Sequence, residues 1–431
     1  MKYKWSMFTY HVKSKEGIII YNFINHGAVL LEDSIYKSIL CNQNDYKAER
    51  KKLIKQEFIV PIEADEKELF MNSLLKEWNN CGFLGLHILT TTGCNFKCPY
   101  CYQCGIKANH LKEENLNKEI EFLDKYIKDN NIHECRIEIT GGEPTINWGI
   151  VEKMLPSLKK IFKKNKVKYE TLIVTNGLLL TKEKADLLAK YNWQRLQLTI
   201  DGVENIHNKR RVNKGKENSF KTIIKNLDYV IFNNKINKVN LRINYDNSNI
   251  DSIPQLLDFL KERYGTEKLI ISLGLITKTV DDANSNLFIE KNGINENEFK
   301  DAYIKLYTKL KEKGFTVSDI FSFDGLCTAK LKHGFLLQPD GKIIKCVSGV
   351  GREEFIIGDY LEGNISDENY LYPELYKECL DKECPFLPIC HTGCRFDAYI
   401  KNKDKRKNNC KRVLLEEINS ELLKINYERK D

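Results

Sequence analysis

Three cysteines, Cys94, Cys98 and Cys101, fall within one short stretch, TTTGCNFKCPYCYQ (90–103). Bringing three thiols to one point leaves the backbone little freedom, so this segment has to be a tight loop. Thiolates at C-x3-C-x2-C spacing can reach neighbouring irons of a single iron–sulfur cube. Three protein ligands leave the fourth iron open, and an open metal position can bind a second molecule. Zinc is the alternative for the same residues, because Cys104 extends the run to C-x2-C-x2-C and structural zinc takes four ligands.

The chain holds 14 cysteines, while its first residues, MKYKWSMFTYHVKSKEG, lack the apolar core of an export signal. No window approaches a membrane span. The expectation is a cytoplasmic protein, where clustered thiols read as metal ligands rather than disulfides. The net charge of +8 is spread over lysines interleaved with acids. It suits an acidic partner such as a peptide, and no basic run interleaved with aromatics signals nucleic acid.

Hydrophobic patterning divides the 431 residues into three regions. Residues 1–80 read as a small unit, with strands at GIIIYNF (17–23), GAVLL (27–31) and EFIVP (57–61) and helices at SIYKSIL and DYKAERKKLIKQ. From residue 84 strands and helices alternate: LGLHILT, CRIEIT, YETLIVT, RLQLTI, VNLRINY and KLIISLGL are the strands, each followed by a helical stretch or a loop. Repeated strand–helix pairs with mostly apolar strands predict an α/β fold with a parallel sheet, curved or closed, and helices outside. Function in such sheets collects at the carboxyl ends of the strands. The third region, 320–431, carries a further group of cysteines and a hairpin turn at PDG (339–341).

Every polar motif of the middle region follows a strand. Gly141, Gly142, Glu143 and Pro144 form GGEP after the second strand, Asn176 lies in TNG after the third, and Thr199 and Asp201 lie in TIDG after the fourth. Glycines let backbone approach a ligand closely, and a carboxylate suits an ammonium. Together with the cysteine loop, whose aromatic Tyr100 precedes the last cysteine, this order of motifs resembles the radical S-adenosylmethionine (radical SAM) enzymes. The resemblance implies a partial (β/α)6, TIM-like barrel over 84–315. It also implies a four-iron cluster on Cys94, Cys98 and Cys101 whose open iron chelates SAM. Tyr100, GGEP, Asn176, Thr199 and Asp201 would then line the SAM site. Arg211, in HNKRR where the family has H-D-x-x-R, and Arg242 on the fifth strand would neutralise the SAM carboxylate; a structural ion pair is the other reading of these arginines.

The C-terminal cysteines resemble a SPASM domain, a family extension that holds two auxiliary four-iron clusters. Carried over residue by residue, Cys327, Cys346 and Cys394 would hold the first, and Cys379, Cys384, Cys390 and Cys410 the second. Asp381 stands where the family pattern has a cysteine, and Cys379 is the nearest thiol. Two structural zinc sites are the alternative for these seven residues. His391 among them reads as structural, and His333, Asp324 and Asp340 are candidate bases. Cys41 and Cys81 have no partners at ligand spacing and read as small buried hydrophobes.

The combination implies three four-iron clusters, one binding SAM and two auxiliary, and an oxidoreductase acting on a peptide. The expected activity is crosslinking of a ribosomally made precursor peptide, thioether first, with carbon–carbon and carbon–oxygen bonds behind it. Residues 1–80 would recognise the precursor or serve as a structural extension, and a flavodoxin- or ferredoxin-like protein would supply electrons. The alternatives are an anaerobic sulfatase-maturing type that makes formylglycine, and a non-catalytic iron–sulfur electron carrier or peptide-binding scaffold.

Overall fold

The structure is a computed structural model that describes residues 2–40, 46–215, 217–277, 283–317 and 327–428. Cys41 and Asp324 lie outside the described residues. Backbone contacts divide the chain into two compact units, 1–80 with 319–326 and 371–431, and 81–318 with 327–370.

The first unit opens with β1 (Tyr3–Trp5), β2 (Thr9–Ser14), β3 (Gly17–Asn22) and β4 (Ala28–Leu31). Helices α1 (Asp33–Ser38) and α2 (Lys47–Lys55), strand β5 (Ile59–Pro61) and helix α3 (Glu66–Asn79) follow. β2, β3 and β4 form an antiparallel meander, and β1 pairs with β5. The apolar run of β3 puts it at the centre of the meander, where Ile19 and Ile20 are both fully buried. β1, β2 and α3 carry mixed, weakly periodic sequences and were not expected. α3 is started by Asp65, whose side chain accepts from the Glu68 amide at 3.0 Å.

The second unit runs β6 (Phe83–Leu89), α4 (Glu113–Asp129), β7 (Glu134–Thr140), α5 (Trp148–Lys164), β8 (Lys168–Thr175), α6 (Lys182–Ala189) and β9 (Trp193–Thr199). It continues through α7 (Glu204–Arg210), α8 (Ser219–Phe232), β10 (Val239–Tyr245), α9 (Ile253–Tyr264), β11 (Leu269–Leu275), α10 (Ala283–Asn292), α11 (Glu296–Glu312) and β12 (Thr316–Val317). β6 to β12 are parallel neighbours in chain order, the open, partial barrel expected. The strands are less uniformly apolar than the sequence suggested. Leu84, Leu86 and Ile88 of β6, Ile137 and Ile139 of β7, and Leu241 and Ile243 of β10 share one core with Leu123, Leu158, Leu227 and Leu256 of the helices. Each such side chain, fully buried, contributes about 1.5–3 kcal/mol. The alternate positions, among them Glu138, Gln197, Asn240 and Arg242, face the other way and keep partial exposure. The barrel thus has an apolar outer face and a polar inner one.

Past the barrel, β13 (Gly334–Leu337) returns to pair in parallel with β6, on the side away from β7. β14 (Lys342–Ile344), β15 (Ile356–Asp359) and β16 (Asn364–Ile365) extend the sheet antiparallel, the turn at 339–341 joining β13 to β14. These ladder bonds assign 327–370 to the barrel unit, so the division between units runs through the region read as one C-terminal domain. The remaining elements, α12 (Pro373–Asp381), α13 (Leu387–Cys390), α14 (Arg395–Asn402) and α15 (Arg412–Tyr427), belong to the first unit. There Leu371, Tyr376, Leu380 and Leu387 form one core with Phe8 and Leu74. Among the described residues, no helix is long and apolar enough to cross a membrane.

Candidate active site

The cysteine loop joins β6 to α4 and is held from three directions. Asn147 donates to the carbonyls of Thr90 and Leu111 at 2.8 and 3.0 Å, clamping the two ends of the loop together. The amides of Gly142 and Glu143 donate to the carbonyls of Thr91 and Gly93 at 2.9 Å each. On the far side, Lys97 and Lys214 make backbone bonds to Val212 and Asn95 at 2.8 and 2.9 Å. The GGEP glycines are explained by this approach: a Cβ on Gly142 would lie 2.3 Å from the Gly93 carbonyl oxygen, and one on Gly141 2.5 Å from that of Thr91. The glycines face the loop's backbone as well as the space in front of it.

That space is a cavity of about 570 Å3 at the carboxyl ends of the strands. Cys94, Cys98 and Cys101 line it, and so do seven of the ten residues expected to contact SAM: Tyr100, Gly141, Gly142, Asn176, Thr199, Arg211 and Arg242. Glu143, Pro144 and Asp201 stand behind this wall. Glu143 is fully buried, and its carboxylate accepts from the Thr145 amide and hydroxyl, the Thr175 hydroxyl and the Asn176 amide at 2.5–3.0 Å. Its donors are thus supplied by the chain itself, and the carboxylate locks the second loop to the third. Pro144, also buried, begins the short helical turn 144–147 that carries Asn147. Asp201, fully buried, accepts from the Tyr100 hydroxyl and from the Asn244 amide at 3.2 Å.

The two arginines of HNKRR part company. Arg210 is the structural one: its guanidinium donates to both Asp246 oxygens at 2.8 and 2.9 Å and lies 5.2 Å from the centre of the Tyr100 ring. Arg211 donates to the Tyr100 hydroxyl at 3.0 Å, and its buried Nε has no partner among the described residues. Burial works against the Arg211 charge, but Cys98, Tyr100 and Asp201 outweigh it and hold its pKa well up. Arg242 stands opposite Thr199 across β10 and β9 and donates to Asn244 Oδ1 at 3.1 Å. Gly274 makes room for it, since a Cβ there would lie 2.2 Å from the guanidinium.

Burial pushes the Cys94 and Cys101 thiols up, and Cys98 to about 12, the Arg211 charge only partly opposing it. Metal must therefore displace protons to bind here. Among the described residues no three His, Cys, Asp or Glu side chains are drawn in to metal-ligand spacing. The donor set still suits a thiolate-ligated cluster with an anionic ligand: three thiols on one wall, and a buried arginine with an orphaned N–H beside them. Cys94, Cys98 and Cys101 would hold the cluster, and Arg211 and Arg242 a carboxylate.

The model of the radical SAM superfamily matches residues 88–260. The chain carries a radical SAM domain. Its family implies SAM and one four-iron cluster as cofactors. The chain is 28% identical over 316 residues to the radical SAM cyclopropyl synthase TigE of Paramaledivibacter caminithermalis, covering 66% of this chain and 61% of that one. It is 25% identical to a cysteine-type anaerobic sulfatase-maturating enzyme of Clostridium perfringens, covering 71% and 86%. Streptococcus suis SuiB shares the fold: bound to S-adenosylmethionine it superposes with a TM-score of 0.55 at 19% identity, over 95% of this chain and 99% of that one. SuiB bound to its precursor peptide SuiA gives a TM-score of 0.54. Against TigE, the radical SAM chain thus spans less than two thirds of the relative's length.

The second cysteine group lies in the other unit. Cys379, Cys384, Cys390 and Cys410 all line one small cavity, so the thiol left unmatched by the family spacing stands with the other three. Cys379 comes from the last turn of α12, and the Cys384 amide donates to its carbonyl at 3.1 Å. Burial, then the other three sulfurs, pushes its pKa to about 11. His391, Thr392 and Gly393 all take positive φ, turning the chain sharply between Cys390 and Cys394. Buried Arg395 fixes that turn, donating to the carbonyls of Thr392 and Gly393 and, at 3.2 Å each, of Lys405 and Lys407. His391 approaches Tyr376 Oη at 3.4 Å. Cys327 and Cys346 belong to the barrel unit and Cys394 to the first unit.

The two described candidate bases, His333 and Asp340, do not line the cysteine-walled cavity. His333 is buried against Tyr126 Oη at 2.9 Å, its pKa lowered by burial to about 4. Asp340 caps the hairpin, accepting from the Lys342 amide at 3.2 Å. The one acid lining the cavity among the described residues, Glu138, was not singled out from the sequence. The signal was there: Arg136, Glu138 and Thr140 alternate with Cys135, Ile137 and Ile139.

Proposed function

We propose that this chain is a radical SAM peptide maturase: it abstracts a hydrogen atom from a ribosomally made precursor peptide and forms an intramolecular bond within it. The observation that carries this is the pairing of two thiol sites in one chain. Three cysteines share a SAM-sized cavity with two arginines, and four more share a cavity in the other unit. When bound, the reduced cluster and SAM supply a 5′-deoxyadenosyl radical. The chain's own work is to hold and enclose. Arg211 and Arg242 fix a carboxylate, Tyr100 and Asp201 steady Arg211, and the Glu143 network keeps the loops in register, which matters because a radical reacts with whatever it meets. The auxiliary thiols would hold two further clusters as electron acceptors. A thioether remains one candidate product, and kinship to a cyclopropyl synthase raises a carbon–carbon bond to equal standing. Kinship to a cysteine-type sulfatase-maturating enzyme supports the second reading, oxidation of a peptide side chain to formylglycine. A precursor peptide and a flavodoxin- or ferredoxin-like reductant are the partners this reading requires.

The test is anaerobic reconstitution, with iron counting and assay of 5′-deoxyadenosine and of peptide mass. About twelve irons are expected, falling to about eight in the Cys94→Ala/Cys98→Ala/Cys101→Ala variant with nucleoside release abolished. Loss of two hydrogens from the peptide marks a crosslink, whereas formylglycine from cysteine changes the mass by loss of sulfur. Zinc in place of iron, or iron without SAM cleavage, overturns the enzyme reading.

A further inference from the structure

Glu138 enters the cavity from the inner face of β7, and it is the sole carboxylate among the described residues that line it. Its Oε1 lies 3.0 Å from Nδ1 of His87, the residue paired with it in register on β6. His87 Nε2 in turn lies 2.9 Å from Thr328 Oγ1. The three groups run from the cavity outward: the Glu138 and His87 side chains are 24% and 12% exposed, Thr328 is half-buried, and the adjoining Cys327 is exposed. Neither the fold nor the SAM wall calls for an acid here. The matching position on β8 is Leu172, and a partly buried ion pair is a weak source of stability beside apolar packing.

We propose that Glu138 is the general base that takes the proton lost when the peptide radical becomes product, with His87 and Thr328 as its exit path to solvent. This rests on the reading of the chain as a peptide-modifying radical SAM enzyme. The peptide, having lost one hydrogen atom, carries a carbon radical; a bond forms from that carbon to an atom X of the same peptide as the X–H bond breaks. The X–H proton goes to the Glu138 carboxylate, whose turn brings the protonated oxygen to His87, and the odd electron goes to an oxidised iron–sulfur cluster, the one-electron acceptor the step requires. Protonated Glu138 passes its proton to His87 Nδ1, and the imidazole releases its Nε2 proton toward Thr328 Oγ1, whose own hydrogen leaves to water. The two distances within the chain, 3.0 and 2.9 Å, lie within the reach that general acid–base catalysis needs, and the first is not aligned as a hydrogen bond until the carboxyl turns toward His87. Glu138 is the catalytic residue, and His87 and Thr328 are positioning residues.

The experiment uses the full-length reconstituted protein with SAM, dithionite and, as probe, a synthetic cysteine-containing peptide. The readout is the ratio of crosslinked peptide to 5′-deoxyadenosine. Glu138→Gln is expected to lower this ratio about 100-fold, the scale of a lost general base, while nucleoside release changes much less. Glu138→Asp should recover part of the ratio, and His87→Ala should lower it more than His87→Gln without changing the KM for the peptide. An unchanged ratio in Glu138→Gln overturns the inference, as does a parallel loss of nucleoside and product, which would make Glu138 part of the SAM wall. A raised KM with an unchanged ratio would make it a peptide-binding group and equally overturn it. A wild-type protein that releases no 5′-deoxyadenosine, or that cleaves SAM and leaves the peptide unmodified, overturns the functional reading itself.

Discussion

Glu119 on α4 is an energetic weakness of the barrel because its carboxyl is sealed from water. Its carboxylate is fully buried, neither oxygen has a partner among the described residues, and burial pushes its pKa from 4.5 to about 8. The folded chain therefore keeps a proton that the unfolded chain releases, so stability falls as pH rises between these two values and is flat above them. The slope is about 1.4 kcal/mol per pH unit. Glu119→Gln should accordingly raise the melting temperature at pH 8 by more than at pH 5; parallel shifts at both values would show that the wild-type carboxyl is not held neutral. At this scale the thiols were legible, since spacing along the chain fixes spacing in a loop. The role of Glu143 was not: a free carboxylate and one saturated by Thr145, Thr175 and Asn176 look alike until the third strand is beside the second. Glu138 went unremarked for the same reason, its meaning depending on His87 across a strand pair far apart in sequence.

Among elements, the GGEP loop and the cysteine loop behave as one piece. Gly142→Ala would drive a Cβ to within 2.3–2.7 Å of three backbone atoms of residues 92 and 93, none of which can swing aside. Overpacking of this kind costs about 1–3 kcal/mol, and SAM affinity measured by equilibrium dialysis should fall with the melting temperature. Gly149→Ala is the control: nothing lies within 4 Å of its Cβ, so a helical alanine in α5 should be neutral or stabilising. The six barrel strands announced themselves as short, mostly apolar runs between helical stretches. The pairing of β13 with β6 did not, because register between segments some 250 residues apart leaves no local pattern. That one pairing carries 347–350, which follow Cys346, to the cavity wall.

At the scale of the molecule, residues 1–80 look separable in sequence and are not. Phe8 and Leu74 share a core with Leu371, Tyr376, Leu380 and Leu387, and Tyr10 Oη donates to the Glu416 carbonyl at 3.0 Å. Removing 1–80 should expose that core and unsettle the helices that carry Cys379 and Cys390. The shortened chain is expected to bind 1-anilinonaphthalene-8-sulfonate and to lose about four irons on reconstitution; full iron content would show that the thiol site stands without its N-terminal partner. Composition could not foretell this, since both ends carry ordinary amphipathic segments and only their meeting makes a core. The arrangement also sets a timetable. At about 5–20 residues per second, the ribosome needs roughly 15–60 s to make the intervening roughly 290 residues. For that interval the first 80 residues wait with Phe8 and Leu74 uncovered, while the barrel between them can already fold. The four-thiol site can thus close only once Cys410 has been made, well after the barrel strands.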